Sequence, residues 1–337
     1  MRLPLRLATV VCALPTLLPA QFSALTPPAC GIYTLATLAD GTFACERYAT
    51  FPWFAAGQGW STQVSMFTAP ESGQSRGVQF QIGLSPGASV NAVDGGLSGS
   101  YGTFTFVQPP VLAGSSARLD IVSAAGCSST GCVVTNDLGY GPLWVQMDAP
   151  DVQTLQAGSL QLIFLFADST GKYNTQLAVP PIFNDQAAAE WITSFSETPV
   201  DQKAGAANSN DCAFAVANLA NQSQSVTVSL YDQAGNLIAE KTTPVLAAGI
   251  QNGPQVLPGG VYGDDFGSFF GVTSSRLTPA QAVSLSLTGT VDGTVRFVSS
   301  AGLPIAPLVV RLAGNSISSF QVAPLPAVNQ TVIPPVE

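Results

Sequence analysis

The 337-residue chain contains no histidine, and only 9% of its residues are charged. The first absence removes Ser-His-Asp and Cys-His catalysis, histidine-ligated zinc and any histidine proton switch. The second leaves 11 Lys and Arg against 20 Asp and Glu, a formal net charge of −9. That balance excludes the clustered basic surface that nucleic-acid phosphates require. Long helices are excluded too, because 32 glycines and 25 prolines punctuate the chain. No apolar run is long enough to cross a bilayer. Residues 7–19 (LATVVCALPTLLP) come nearest, but Pro15 interrupts them and they fall short of the roughly 20 residues a span needs.

That run instead has the form of a secretory signal peptide, with Arg2 and Arg6 before it and the small residue Ala20 behind it. Residues 1–20 are therefore expected to direct export and be removed, and no lipid-attachment motif surrounds Cys30. The expected location is secreted: extracellular, cell-surface or periplasmic. Cysteine usage agrees, since oxidising compartments permit disulfides. Cys12 leaves with the signal, and near neighbours are the simplest partners for the rest. Cys30 is expected to pair with Cys45, and Cys127 with Cys132 across the SSTG loop, leaving Cys212 as a buried thiol. A metal site is not expected, because the spacings are not CxxC pairs and no histidine completes a ligand set.

The chain reads as strands. Residues 225–231 (SVTVSLY) alternate, with Val226, Val228 and Leu230 on one face and Thr227 and Ser229 on the other, the pattern of a half-buried antiparallel strand. A turn at 232–236 (DQAGN) and residues 237–241 (LIAEK) complete a hairpin. Further strands are expected at 63–68, 77–84, 103–108, 117–122, 143–147, 159–166, 213–218, 282–287, 294–298, 308–312 and 320–323. Only 186–192 (QAAAEWI) has helical composition. Many short strands with frequent turns imply sandwiches or barrels.

Internal repetition divides the chain. Residues 63–82 (QVSMFTAPESGQSRGVQFQI) align without gaps on 213–232 (AFAVANLANQSQSVTVSLYD), so that Val64, Met66, Val78 and Phe80 fall on Phe214, Val216, Val228 and Leu230. PVLA at 110–113 recurs at 244–247, residues 143–149 correspond to 295–301, and 163–178 resemble 309–323. Four blocks in one order imply two copies of one domain, a period too long for a solenoid repeat. The expected organisation is a signal peptide at 1–20, a lead carrying the first disulfide at 21–47, β-sandwich domain 1 at 48–182, a linker at 183–189, β-sandwich domain 2 at 190–326 and a proline-rich tail at 327–337. The fold class is all-β: two tandem immunoglobulin-like antiparallel β-sandwiches.

Residues 51–60 (FPWFAAGQGW) with the following STQVSMF resemble a motif that opens many uncharacterised secreted proteins of environmental bacteria, a Phe-Pro-x-Phe-Ala run followed by Gly-rich residues and a Trp. Residues 214–218 (FAVAN), 226–236 (VTVSLYDQAGN) and 296–300 (RFVSS) resemble that family's later blocks, so the likeness covers roughly 48–326. It implies a pair of exported immunoglobulin-like sandwiches and no activity, because no catalytic residue is assigned to the family. The chain departs from the pattern at 94–102, around Cys127 and Cys132, and in the Cys30/Cys45 segment ahead of the usual start.

Little else suggests chemistry. GQSRG at 73–77 matches the G-x-S-x-G elbow as a string, but it lies between a loop and a strand in a chain without histidine. The acid pairs Asp148/Asp151 and Asp264/Asp265 could serve a two-carboxylate glycosidase, yet neighbouring acids in turns are more commonly solvated or bonded to backbone amides. Asn208, Asn210 and Asp211 offer oxygens to calcium without a recognisable calcium loop. No phosphate-cradling glycine loop occurs, and no cofactor is expected.

Aromatic residues remain. Trp53 and Trp60, with Phe51 and Phe54, cluster at the edge of the first domain, where they either close the sandwich and its interface or present a platform for sugar rings. The leading expectation is a non-catalytic interaction or structural module. It would bind an extracellular protein or matrix through loops 94–102, which hold Tyr101, and 126–141. The alternative is a glycan-binding module using the aromatic cluster; a carboxylate-only hydrolase stands third.

Overall fold

The computed structural model describes residues 24, 26–38, 40–70, 77–84, 104–123, 132–135, 139–167, 173–203, 209–313 and 316–325. They form an all-β protein of several antiparallel sheets with few helices. The first half contains β1 (Thr34–Thr37), β2 (Phe43–Ala56), β3 (Trp60–Thr68), β4 (Gly77–Leu84), β5 (Phe104–Leu112), β6 (Ser116–Ser123), β7 (Cys132–Thr135) and β8 (Gly139–Ala149). A short helix α1 (Val152–Ala157) follows, then β9 (Gly158–Ala167), β10 (Tyr173–Val179) and β11 (Ile182–Phe183). One sheet runs β1-β2-β8-β4-β5, with β11 on β2; the other runs β10-β9-β3-β6-β7. The pairing is antiparallel except between β6 and β7.

Alternation decides which side chains enter the core between these sheets. In β8, Val145, Met147 and Ala149 face inward, as do Val78, Phe80, Ile82 and Leu84 in β4 and Val64 and Met66 in β3. Phe51 and Phe54 of β2 are both fully buried although three residues apart. A regular strand cannot place both on one face; the β2–β8 register breaks between them, where Pro52 has no N–H to give the ladder. Cys45 is also in this core and is bonded to Cys30, so β2 begins inside the segment read as a lead and is stapled to it.

The second half contains β12 (Glu190–Glu197), α2 (Val200–Lys203), β13 (Asn210–Asn218), β14 (Val226–Asp232), β15 (Leu237–Thr242), β16 (Ile250–Asn252), β17 (Gln255–Leu257), β18 (Val261–Asp265), α3 (Phe266–Phe270) and α4 (Pro279–Thr288). The last strands are β19 (Val291–Ser299), β20 (Ile305–Ala313), β21 (Ser316–Phe320) and β22 (Ala323–Pro324). Its sheets run β15-β14-β19-β12-β22 and β18-β13-β20-β21, with β16–β17 as a separate hairpin. Phe195, Phe214, Phe266, Phe269, Phe270 and Phe297 fill much of their shared core, Phe214 meeting Phe269 edge-on with ring centroids 5.0 Å apart.

Three expected elements differ in the structure, the smallest change being at 320–323, where β21 ends at Phe320 and β22 begins at Ala323. Residues 282–287 alternate like a strand but lie in α4. Thr278 accepts from the Gln281 backbone N–H while the Gln281 side chain accepts from Thr278 N–H; Pro279 starts the helix and Gly289 ends it in the left-handed region. These end signals prevail over a period-two pattern that packing does not use: Leu287 is 80% exposed. Residues 186–192, alanine-rich, form no α-helix. A 3₁₀ turn at Asn184–Gln186 precedes β12, in which Trp191, Thr193, Phe195 and Glu197 point inward by turns. Burial of the two aromatic rings overrides alanine's helix preference.

Candidate functional site

The break in β2 that inserts Pro52 also turns Trp53 out of the first core. Its ring stacks on Tyr140 at 5.0 Å between centroids and 16° between planes. The β2–β3 turn, with positive φ at Gly57, Gln58 and Gly59, brings Trp60 beside it, packed on Phe166 at 4.9 Å. Opposite stands the outer face of the β18-β13-β20-β21 sheet, carrying Ala213, Ala215, Leu308, Val310 and Ile317. These strands have apolar residues on both faces, one toward their own core and one toward the first half. Gly263 completes the fit: a Cβ there would lie 3.0 Å from Cζ3 of Trp53.

Between these surfaces is a cleft of about 320 Å³. Its wall is mainly apolar; Asp264, the one charged residue that lines it, accepts a hydrogen bond from Tyr262 Oη at 2.8 Å. The four aromatics grouped by sequence thus separate: Phe51 and Phe54 are core, while Trp53 and Trp60 are partly buried and line the cleft. Tyr101, Cys127 and loop 94–102 lie outside the described residues, as does the pairing expected for Cys127 and Cys132.

A second cluster, unsuspected from sequence, lies on the outer face of the first sheet. Glu46 and Asp148 sit opposite each other in the β2–β8 register, and Tyr48 opposes Gln146 one step along. Tyr48 Oη donates to Gln146 Oε1 at 2.8 Å, and Gln146 Nε2 donates to both Asp148 oxygens at 3.1 and 3.0 Å. Glu46 and Asp148 are 7% and 5% exposed. Burial, and then the charge of Asp148, push the Glu46 carboxyl up to about 7 against a partial offset from Tyr48. Burial pushes Asp148 up to about 6, opposed by Gln146. The β16–β17 hairpin of the second half lies over this face. Leu257 packs with Tyr48 and Trp144, and Asn252 Nδ2 reaches Tyr48 Oη at 3.5 Å.

The remaining acidic candidates have structural partners. Asp151 accepts from Thr154 N–H and caps α1, Asp265 accepts from Ser268 N–H and caps α3, and Asp211 accepts from Lys203. Asn210 Oδ1 accepts from Arg311. The oxygens of Asn210 and Asp211 offered to calcium are thus engaged within the fold, while Asn208 and residues 73–76 lie outside the described residues. Among the described residues, no group of three or more His, Cys, Asp or Glu could hold a metal, and no helix is long and apolar enough to cross a membrane. Cys212 is free and buried; burial raises its thiol to about 12, so it remains protonated. The chain matches no protein-family model, no curated protein and no solved structure.

Proposed function

We propose that this is an exported, non-catalytic binding protein built from two copies of an immunoglobulin-like sandwich, which holds an apolar group of an extracellular protein partner in the cleft between them. The cleft carries this reading: two tryptophans and a tyrosine from one half face an apolar sheet of the other across a space of side-chain size. Duplication is supported by strand order. β2-β8-β4-β5 has the same form as β12-β19-β14-β15, and β10-β9-β3-β6 the same form as β21-β20-β13-β18. The gap-free alignment of 63–82 on 213–232 lays β3 on β13 and β4 on β14. The likeness of residues 51–60 to exported sandwich proteins, and the Cys30–Cys45 bond, fit an oxidising compartment.

The immunoglobulin likeness resides in the middle strands, where β3 pairs with β6 and β4 with β8. The flanking strands exchange sheets: β2 joins β8, and β9 joins β3. A non-catalytic role is supported by the lack of a histidine base and by the use of Asp151 and Asp265 as helix caps. The apolar lining favours a side chain over a sugar, which needs several polar groups to fix its hydroxyls.

The test is titration with a neutral naphthylamine dye followed by its fluorescence. One saturable site is expected, weakened at least tenfold by Trp53→Ala and blocked by Val310→Trp, which fills the cleft. Undiminished dye binding in both variants would refute the reading. Saturable oligosaccharide binding lost in Trp53→Ala and Trp60→Ala would replace it with the glycan alternative.

A further inference from the structure

Apart from the cleft, a polar cavity of about 150 Å³ lies where β1, β2, the 184–186 turn and the β16–β17 hairpin meet. We propose that it binds a primary ammonium group, with the Glu46 carboxylate as counter-ion.

Glu46 is buried, its one hydrogen-bond neighbour is Tyr48 Oη at 3.2 Å, whose single proton it shares with Gln146 Oε1 at 2.8 Å, and it has no cationic partner among the described residues. A carboxylate withdrawn from water in this way is costly until a cation or several donors reach it. Arg47, next along the strand, does not meet the need. It is held at 2.9 Å through both Nε and Nη2 by Asp185, with its guanidinium 3.5 Å over the Phe183 ring. Asn184 and Gln255 border the same cavity and are bonded to each other. Asn184 Nδ2 donates to Gln255 Oε1 at 3.1 Å, and Gln255 Nε2 donates to Thr34 Oγ1 at 2.7 Å.

A polar space bordered by a buried carboxylate with no cationic partner among the described residues calls for a ligand that is positively charged and only donates. A primary ammonium has three N–H donors and no acceptor. A divalent metal fits less well, since calcium takes six to eight oxygens, commonly with several carboxylates. Glu46 has the neighbouring charge of Asp148 across the ladder. Arg47 and Tyr48 flank it on β2, Asp185 enters from the turn and Tyr33 from the segment before β1. The hairpin contributes Asn252 and Gln255, and β4 places Gln79 beside Asp148; none of these titrates.

The ammonium cation and the proton therefore compete for one carboxylate. With Glu46 titrating near 7, affinity should be roughly thirtyfold weaker at pH 5.5 than at pH 8. The measurement is NMR titration of the intact protein with ethylammonium chloride, following the Asn184 and Gln255 side-chain amides, with potassium chloride at matched ionic strength as reference. Saturable shifts with ethylammonium alone are expected, weakened at least tenfold by Glu46→Gln. Nα-acetyl-lysine methylamide binding more tightly than ethylammonium would indicate a partner's lysine; equal binding would indicate a free amine. Equal shifts with potassium, no saturation by ethylammonium, or full affinity in Glu46→Gln would overturn the proposal.

Discussion

Raising the pH from 4.5 to 8 should weaken this fold, and Glu46→Gln should abolish a defined part of the loss. Glu46 has an ordinary value of 4.5 and titrates near 7 in the fold, while Asp148 moves from 3.8 to about 6. Both folded values lie above the unfolded ones. Across roughly pH 4 to 7 the folded chain therefore keeps protons that the unfolded chain has released, and stability declines as pH rises through that window. Ionising Glu46 corresponds to about 3 kcal/mol, from 1.36 kcal/mol for each pH unit between its two values. The Asp148 contribution is similar in size, but part of each is the same mutual repulsion, so the two do not add. Glu197, raised to about 7 mainly by burial and opposed by Lys203, acts in the same direction. Asp40, Asp201, Asp232 and Asp265 are lowered and lose stability only as pH falls below their ordinary 3.8, which is why the comparison starts at 4.5. Glutamine at 46 keeps an acceptor for Tyr48 and carries no charge. Urea unfolding followed by tryptophan fluorescence should show wild type and Glu46→Gln nearly equal at pH 4.5, and the variant ahead by about 2–3 kcal/mol at pH 8. Parallel pH profiles, or a wild type more stable at pH 8 than at pH 5, would refute the reasoning.

Gly83 lies under the Trp144 ring, where an added Cβ would come within 2.1 Å of Cζ2; Gly83→Ala should cost about 1–3 kcal/mol in thermal unfolding, and an unchanged midpoint would mean the ring lies elsewhere. Removing the Cys30–Cys45 bond, which spans a sequence separation of 15, should cost about 3 kcal/mol, measured as the urea midpoint of the Cys30→Ala/Cys45→Ala variant. Thr278→Ala should cost about 1 kcal/mol by loss of the α4 cap, whereas Leu287→Ser on the exposed side should stay within about 0.5 kcal/mol. A larger loss from Leu287→Ser would restore the strand reading of 282–287.

The strands that alternate cleanly could be read directly, because half-buried antiparallel strands write their two faces into the sequence. Residues 225–231 are the clear case, and β14 places Val226, Val228 and Leu230 in the core as the pattern requires. Where two signals compete, the stronger is not always the more conspicuous. The alternation at 282–287 is eye-catching, yet Thr278, Pro279, Gln281 and Gly289 satisfy the exposed ends of a helix, and among the described residues no strand pairs with the segment. In β2, the proline that would argue against a strand marks instead the place where pairing slips and the chain changes face.

Trp53 and Trp60 could be singled out from their composition, but their direction could not. Phe51 and Trp53 are two apart and would share a face in an unbroken strand; only the slip at Pro52 sends one inward and the other toward the second half. The carboxylate pair was hidden for a different reason. Glu46 and Asp148 become neighbours through the register of β2 on β8, a pairing of segments about a hundred residues apart, as the Tyr48–Gln146 separation of 98 shows. A shift of β2 by one residue would turn Glu46 into the core and Cys45 out of it, and would no longer set Glu46 against Asp148. The apolar alternation that fixes the core thereby also forces two acids to face each other on the opposite side, so the unusual electrostatics of this surface follow from the packing beneath it.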